Sequence, residues 1–304
     1  MSPFSESAAL IALLRTGARP WRKYAELVED AGSALAVLEH EQGRIDSSPR
    51  LFEPDDDFRL DSAAAEVAGW EAQGIRVLTV LDAEYPDNLR AVYDRPPLIF
   101  VAGSLQARDD RSVAVIGSRD ATRHGTWFAR QIAEHLITAG YTVISGLAAG
   151  IDTAAHTAAL AAGGRTVAVI GTGLTRSYPP QNAALQRRIG QESAVVSQFW
   201  PDAAPSRRSF PTRNALMSGL SLATVIVEAS PTSGARTQAR FALAHGRPVL
   251  LIEWLLQHAW GRELSSRPGG ARGQLCGPGG GDGAAPQRHR SAGRLAPRCL
   301  RSPS

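Results

Sequence analysis

Thiols and lysines are nearly absent from this chain. Its 304 residues hold two cysteines, Cys276 and Cys299, and a single lysine, Lys23. Two cysteines exclude a disulfide-built scaffold, and neither has partners at metal-ligand spacing. A Walker-type phosphate loop and a Schiff-base mechanism each need a lysine in the catalytic region, so both classes are excluded. No apolar run reaches the roughly 18–20 residues of a membrane helix. The N-terminal segment has no basic stretch ahead of its apolar one, and a cytoplasmic protein is expected. Neither a Gly-x-Ser-x-Gly elbow nor a His/Cys/Glu zinc pattern occurs. The chain is therefore expected to be a binding protein rather than an enzyme, with no metal and no cofactor.

With lysine so scarce, almost every cation is an arginine, and the cations are unevenly placed. The formal net charge is +4. Residues 1–110 carry 11 basic and 20 acidic residues, residues 111–265 carry 15 and 8, and residues 266–304 carry 7 and 1. The positive excess of the middle segment points to a polyanionic ligand.

Apolar residues recur at helical spacing in Ala8-Leu10-Ile11-Leu13-Leu14, Tyr24-Leu27-Val28 and Leu35-Val37-Leu38, which predicts a small acidic helical module. A polar stretch from Gln42 to Asp57 reads as a linker. A helix near 61–73 and strands at 75–80 and 98–101 follow. From 113 onward, short β-branched runs alternate with amphipathic helices: strands at 113–116, 141–144, 166–170, 194–196, 223–227 and 248–252, helices near 124–138, 152–162, 182–189, 213–220 and 235–245. Continuous apolar strands separated by helices predict a mostly parallel sheet covered on both faces, a doubly wound α/β domain. A long Pro/Arg loop is expected across 199–213. Beyond Ser266 the chain holds nine glycines, five prolines and seven arginines without any period, and is expected to be disordered.

The chemistry is expected at the strand tips, because ligands of such sheets bind outside the carboxyl ends of the strands. Gly117-Ser118-Arg119 follows one strand and Ser145-Gly146 through Gly150 the next. Gly171-Thr172-Gly173 and Ser233-Gly234 follow two others. Small residues at successive tips let backbone N–H groups approach an anion closely, although they also suit tight strand-to-helix turns. Arg119 at a tip, and Arg213-Asn214 at an expected helix start after Arg207 and Arg208, offer planar forks suited to phosphate. Phe210, Trp200 and Tyr178 lie in the same loops, where they either stack on bases or pack the loops down. Asp152 and His156, four apart on a helix start, read first as a helix-terminal carboxylate and its neighbour. Glu228 at a strand end has the chemistry of a general base, with no nucleophile or metal ligand beside it.

Taken in order, these segments resemble the DNA-processing protein DprA (Smf) family. The residues that carry the resemblance are Val115-Ile116-Gly117-Ser118-Arg119, Ser145-Gly146 through Gly150-Ile151-Asp152 with His156, and Gly171-Thr172-Gly173-Leu174 with Tyr178-Pro179-Pro180-Gln181-Asn182. Phe210-Pro211-Thr212-Arg213-Asn214 with Gly219-Leu220-Ser221, Glu228-Ala229 with Ser233-Gly234, and the introductory Tyr85-Pro86 and Pro96-Pro97 complete the set. It covers about 75–262. The resemblance implies an extended Rossmann-like domain (61–265) after a small helical, SAM-like module and linker (1–60), with a Gly/Arg/Pro-rich tail (266–304). It also implies single-stranded DNA binding, homodimerisation and loading of the recombinase RecA in natural transformation, without enzymatic activity. Arg119 and Arg213 would then meet phosphate, Arg207 would supply the basic residue before the Phe-Pro motif, and the glycine turns would line the pocket.

Three departures stand out. Gln198 replaces the family's usual Glu, Ala215 replaces the second Arg of its Arg-Asn-Arg, and the family pattern stops near Arg267-Pro268-Gly269. The tail is read as out-of-frame translation of a high-GC gene, taking the place of the rest of the domain and any C-terminal winged helix. If so, dimerisation and RecA contact are affected. A competing reading stays open from a different class: related Rossmann-like folds bind or hydrolyse small nucleotides, and the same turns would cradle a single phosphate. A degenerate member that keeps the fold without the transformation function is a third.

Overall fold

The computed structural model describes residues 5–46, 60–230 and 233–273. Three helices open the chain: α1 (Glu6–Arg15), α2 (Trp21–Ala31) and α3 (Ala34–Asp46). Ser5 caps α1 by accepting from the Ala8 amide at 3.2 Å, and Gly32 closes α2 in the left-handed conformation. The expected linker begins later than its composition suggests, since α3 continues to Asp46; the rest of it, including Asp55-Asp56-Asp57, lies outside the described residues.

The remainder is an α/β domain: α4 (Leu60–Glu71), β1 (Ile75–Thr79), α5 (Asp87–Arg90), β2 (Leu98–Gly103), β3 (Ser112–Gly117), α6 (Arg123–Thr138), β4 (Thr142–Ser145), α7 (Ile151–Ala161), β5 (Thr166–Val169), α8 (Ala183–Glu192), β6 (Ala194–Ser197), α9 (Ser209–Leu220), β7 (Ala223–Glu228), α10 (Ala235–Ala244), β8 (Val249–Ile252), α11 (Ala259–Ser265) and β9 (Gly270–Gly273). These nine strands form one sheet in the order β1-β2-β6-β5-β4-β3-β7-β8-β9. The pairs β1/β2 and β2/β6 are antiparallel and all the others parallel.

The winding places the site. From β3 the chain steps outward through β4 and β5 to β6, then crosses back by α9 to β7 on the other side of β3. Successive connections leave β3 in opposite directions there, which opens a crevice at its carboxyl end. Strand alternation covers both faces: Val113, Val115, Val225 and Val227 pack with α6 and α7, while Ala114, Ile116 and Ile226 pack with α9 and α10.

The helical module shares its core with the sheet. Leu10, Ile11 and Leu13 of α1 are fully buried in the same apolar cluster as Leu98, Ile99 and Phe100 of β2. Trp200, after β6, joins them: its ring lies 5.3 Å from Trp21, 6.1 Å from Trp70 and 5.8 Å from Phe100, with the Arg15 guanidinium 4.0 Å above it. Arg95 adds an ion pair to Glu29 of α2, with its Nε at 2.9 Å. Tyr85 is buried, and its hydroxyl donates to the Pro96 carbonyl at 2.7 Å, so the Tyr85-Pro86 and Pro96-Pro97 motifs tie the β1–β2 connection together.

Two expectations need correction. The loop expected across 199–213 ends at Arg208, because α9 begins at Ser209 and places Phe210, Pro211 and Arg213 in helix. Proline in a first turn forfeits only an amide that has no intrahelical partner, and Ser206 and Ser209 satisfy one another's amides through their hydroxyls at 3.1 and 3.2 Å. The tail expected to be disordered from 266 is ordered at its near end. Gly269, at φ +83°, turns the chain, and Gly270–Gly273 pairs with Val249–Ile252 as a parallel edge strand. The ladder bonds are made by backbone alone, so no side-chain period announces them. Residues 274–304, with both cysteines, lie outside the described residues.

Candidate nucleic-acid interface

The loops after β3, β4 and β7 and the first turns of α9 meet at the crevice. There they enclose a cavity of about 490 Å³ lined by Gly117, Ser118, Arg119, Phe210, Arg213, Asn214, Ser233 and Gly234 among others. A smaller one of about 90 Å³ continues towards Gly146, Gly171 and Tyr178. Arg119, Phe210 and Arg213 line both, so the two are lobes of one groove.

The loops are stitched to each other by backbone. Gly150 has φ +79°, and a Cβ there would stand 2.3 Å from the Ser118 carbonyl oxygen, which only glycine avoids. The Ile151 amide donates to that carbonyl at 3.2 Å. Asp152 lies in the first turn of α7, yet its carboxylate reaches back to the β4–α7 loop, accepting from the amides of Gly146 at 3.1 Å and Ala148 at 3.3 Å. It closes that loop rather than capping the helix from outside. Burial pushes the Asp152 carboxyl above its ordinary range, against the pull of Arg213 and these amides.

Arg213 forms the floor. It is 6% exposed, and its guanidinium lies directly over Gly146. Its carboxylate neighbour, Asp152, stands 3.9 Å away, beyond hydrogen-bond distance, and its Nε has no partner among the described residues. The contrast with Arg165 is instructive. That arginine, as deeply buried, is held by Asp109 through both oxygens at 2.5 and 2.7 Å. Arg165 is a completed ion pair, whereas Arg213 is a buried cation left short of acceptors and facing a groove. Burial holds its pKa below the ordinary value, with Arg119 adding to the effect; a guanidinium remains charged regardless.

Arg119 is exposed, and its guanidinium stands 4.9 Å from the centre of the Phe210 ring, which lies 5.7 Å from Tyr178. A charged fork on an aromatic face beside an accessible second ring is suited to phosphate and a stacked base together. Asn214 donates to the Gly234 carbonyl at 3.3 Å and fixes α9 against the start of α10. Ser118 and Ser233 are half-buried on the two walls.

Four expected residues fall outside the lining. Ser145 is fully buried and donates to the Val115 carbonyl at 2.6 Å. Gly150 shapes its turn without facing the groove. The Gly173 amide donates to Ala203 at 2.9 Å, beneath the loop after β6. Arg207 is exposed ahead of α9 and lines neither lobe. His156 is wholly buried with Nδ1 2.7 Å from the Thr166 hydroxyl, and burial pushes its pKa down to about 3. Glu228 is engaged by the amide and hydroxyl of Thr122, the cap of α6, at 3.2 and 2.9 Å. One lining residue has no signal in the sequence: Gln238 of α10 is 1% exposed with both amide atoms unpartnered. A glutamine on a helix face looks like any solvated one until the fold turns it inward.

The family described as DNA recombination-mediator protein A matches residues 76–263, the span that builds the sheet and every wall of this groove. The chain belongs to that family. Among DprA and Smf relatives, it is 40% identical over 179 residues to Protein Smf of Synechocystis, covering 58% of this chain and 45% of that protein. It is 40% identical over 195 residues to DNA processing protein DprA of Streptococcus pneumoniae, covering 64% and 68%. The chain therefore spans less than half the length of the Synechocystis relative. The solved structure of the S. pneumoniae DprA superposes with a TM-score of 0.62 at 30% identity, covering 87% of this chain and 86% of that one. A DprA from Helicobacter pylori, whose structure was determined for its mode of binding single-stranded DNA, gives 0.53 at 27% identity, covering 59% and 80%. The DprA fold is thus the extended Rossmann-like sheet described above. No helix among the described residues is long and apolar enough to cross a membrane.

Proposed function

We propose that the groove at the carboxyl ends of β3, β4 and β7 binds single-stranded DNA through its phosphates, independently of sequence. The observation that carries this reading is Arg213, a buried guanidinium in a ligand-sized groove with no acceptor at bonding distance. A phosphate oxygen would supply that acceptor, and Arg119 with Phe210 would hold the adjoining phosphate and base. Gly117, Ser118, Gly146, Gly171, Asn214, Ser233 and Gly234 complete the walls, and Arg207 and Arg208 extend positive potential ahead of α9. Asp152, His156 and Glu228 all hold structure in place, which favours binding over catalysis. With the family and the H. pylori relative in support, the chain acts as a DprA-type mediator in the cytoplasm. It protects incoming strands as a homodimer and loads RecA recombinase during natural transformation.

Two lobes joined past Arg119 suit a polymer better than one nucleotide, which separates this reading from small-nucleotide binding. Fluorescence anisotropy of a labelled oligo(dT), with free dTMP as competitor, tests the difference. Tight binding that dTMP fails to displace supports the proposal. Displacement by equimolar dTMP, or nucleotide hydrolysis, assigns the groove to a mononucleotide.

A further inference from the structure

Ser233 faces two depressions. One is the strand-tip groove; the other, of about 410 Å³, lies between α10 and α11 and is lined by Arg236, Thr237, Arg240 and Arg267 as well. Arg236 and Arg240 are one helical turn apart and exposed on the same face of α10, with Cβ atoms about 5–6 Å apart, comparable to the spacing of neighbouring phosphates on a strand. Arg267 approaches from the far side, where Glu263 pairs with it at 2.5 Å, both side chains being at least half exposed. Three arginines against one glutamate leave the depression cationic. Trp260 forms its apolar wall, with the Arg236 guanidinium 5.8 Å from the ring centre.

We propose that this depression is a second phosphate-binding subsite, which carries a single strand onward from the strand-tip groove, past Ser233 and along α10. It rests on the reading of the first groove given above. The continuity is physical, since the residue that ends one lining begins the next and Arg236 lies two positions beyond Gly234, the N-cap of α10. Arginine suits the task because its fork bonds phosphate while its stem lies along apolar surface such as Trp260. The Arg267–Glu263 pair is exposed, hence weak, and exchanging the carboxylate for a phosphate costs little.

The test compares oligo(dT) of about 5 nucleotides, enough for one groove, with one of about 20. The double variant Arg236→Ala/Arg240→Ala is expected to bind the long strand about tenfold more weakly, with the salt slope reduced by about 1.4 for two lost phosphates. Its affinity for the short strand is expected to match that of the unsubstituted protein. Unchanged affinity for the long strand, or an equal loss on both lengths, overturns the second subsite and leaves the first intact. Failure of the unsubstituted protein to bind either length overturns the strand-tip reading, and the extension with it.

Discussion

The guanidinium of Arg213 occupies the space that a side chain at position 146 would need: a Cβ built on Gly146 would stand 1.2 Å from Nη1. The glycine of one loop and the arginine of a helix distant in sequence are therefore a single feature. Gly146→Ala removes no charge, yet it must push Arg213 away from the groove floor. Single-stranded DNA affinity is expected to fall about tenfold, or about 1.4 kcal/mol, while the salt slope stays near its original value. Isothermal titration over a range of salt checks both.

A second expectation concerns pH. His156 is buried and neutral, with its pKa pushed down to about 3, whereas the unfolded chain binds a proton near 6.5. Between those values the unfolded state carries more protons, so stability falls as the pH is lowered from 6.5 towards 3. By pH 5 the loss from this one residue is expected to reach about 2 kcal/mol. Urea unfolding at pH 7.5 and pH 5 measures it, and His156→Gln is expected to flatten the dependence by about that amount.

Trp200 joins the opening helices to the sheet, touching Trp21, Trp70 and Phe100 at once. Trp200→Ala is expected to cost about 3 kcal/mol of stability, the usual scale for deleting a packed aromatic. Because the groove lies at the other strands' tips, DNA affinity measured on the folded variant is expected to be unchanged. Thermal melting and anisotropy on the same sample separate the two effects.

Much of this architecture was legible because buried parallel strands need continuous β-branched runs, and Val113 to Ile116 or Ala223 to Val227 are such runs. The glycine turns likewise marked the loops that reach the crevice. What stayed hidden depended on contacts between distant segments. Position alone suggested that Ser145 and Gly173 face a ligand, but a buried hydroxyl bond and a neighbouring loop claim them. Arg207 and Arg213 looked alike in one arginine-rich loop; the early start of α9 at Ser209 turns one inward and leaves the other in solvent. Gln238 and the edge strand Gly270–Gly273 lacked any pattern, because one is placed by tertiary packing and the other by backbone pairing.

The central claim is that Arg119 and Arg213 neutralise phosphates of a bound single strand. Its most direct measurement is the slope of log affinity against log salt for an oligo(dT), compared between the unsubstituted protein and Arg119→Ala/Arg213→Ala. The account predicts a slope shallower by about 1.4 in the double variant, and weaker binding of every base composition alike. An unchanged slope with unchanged affinity would contradict it.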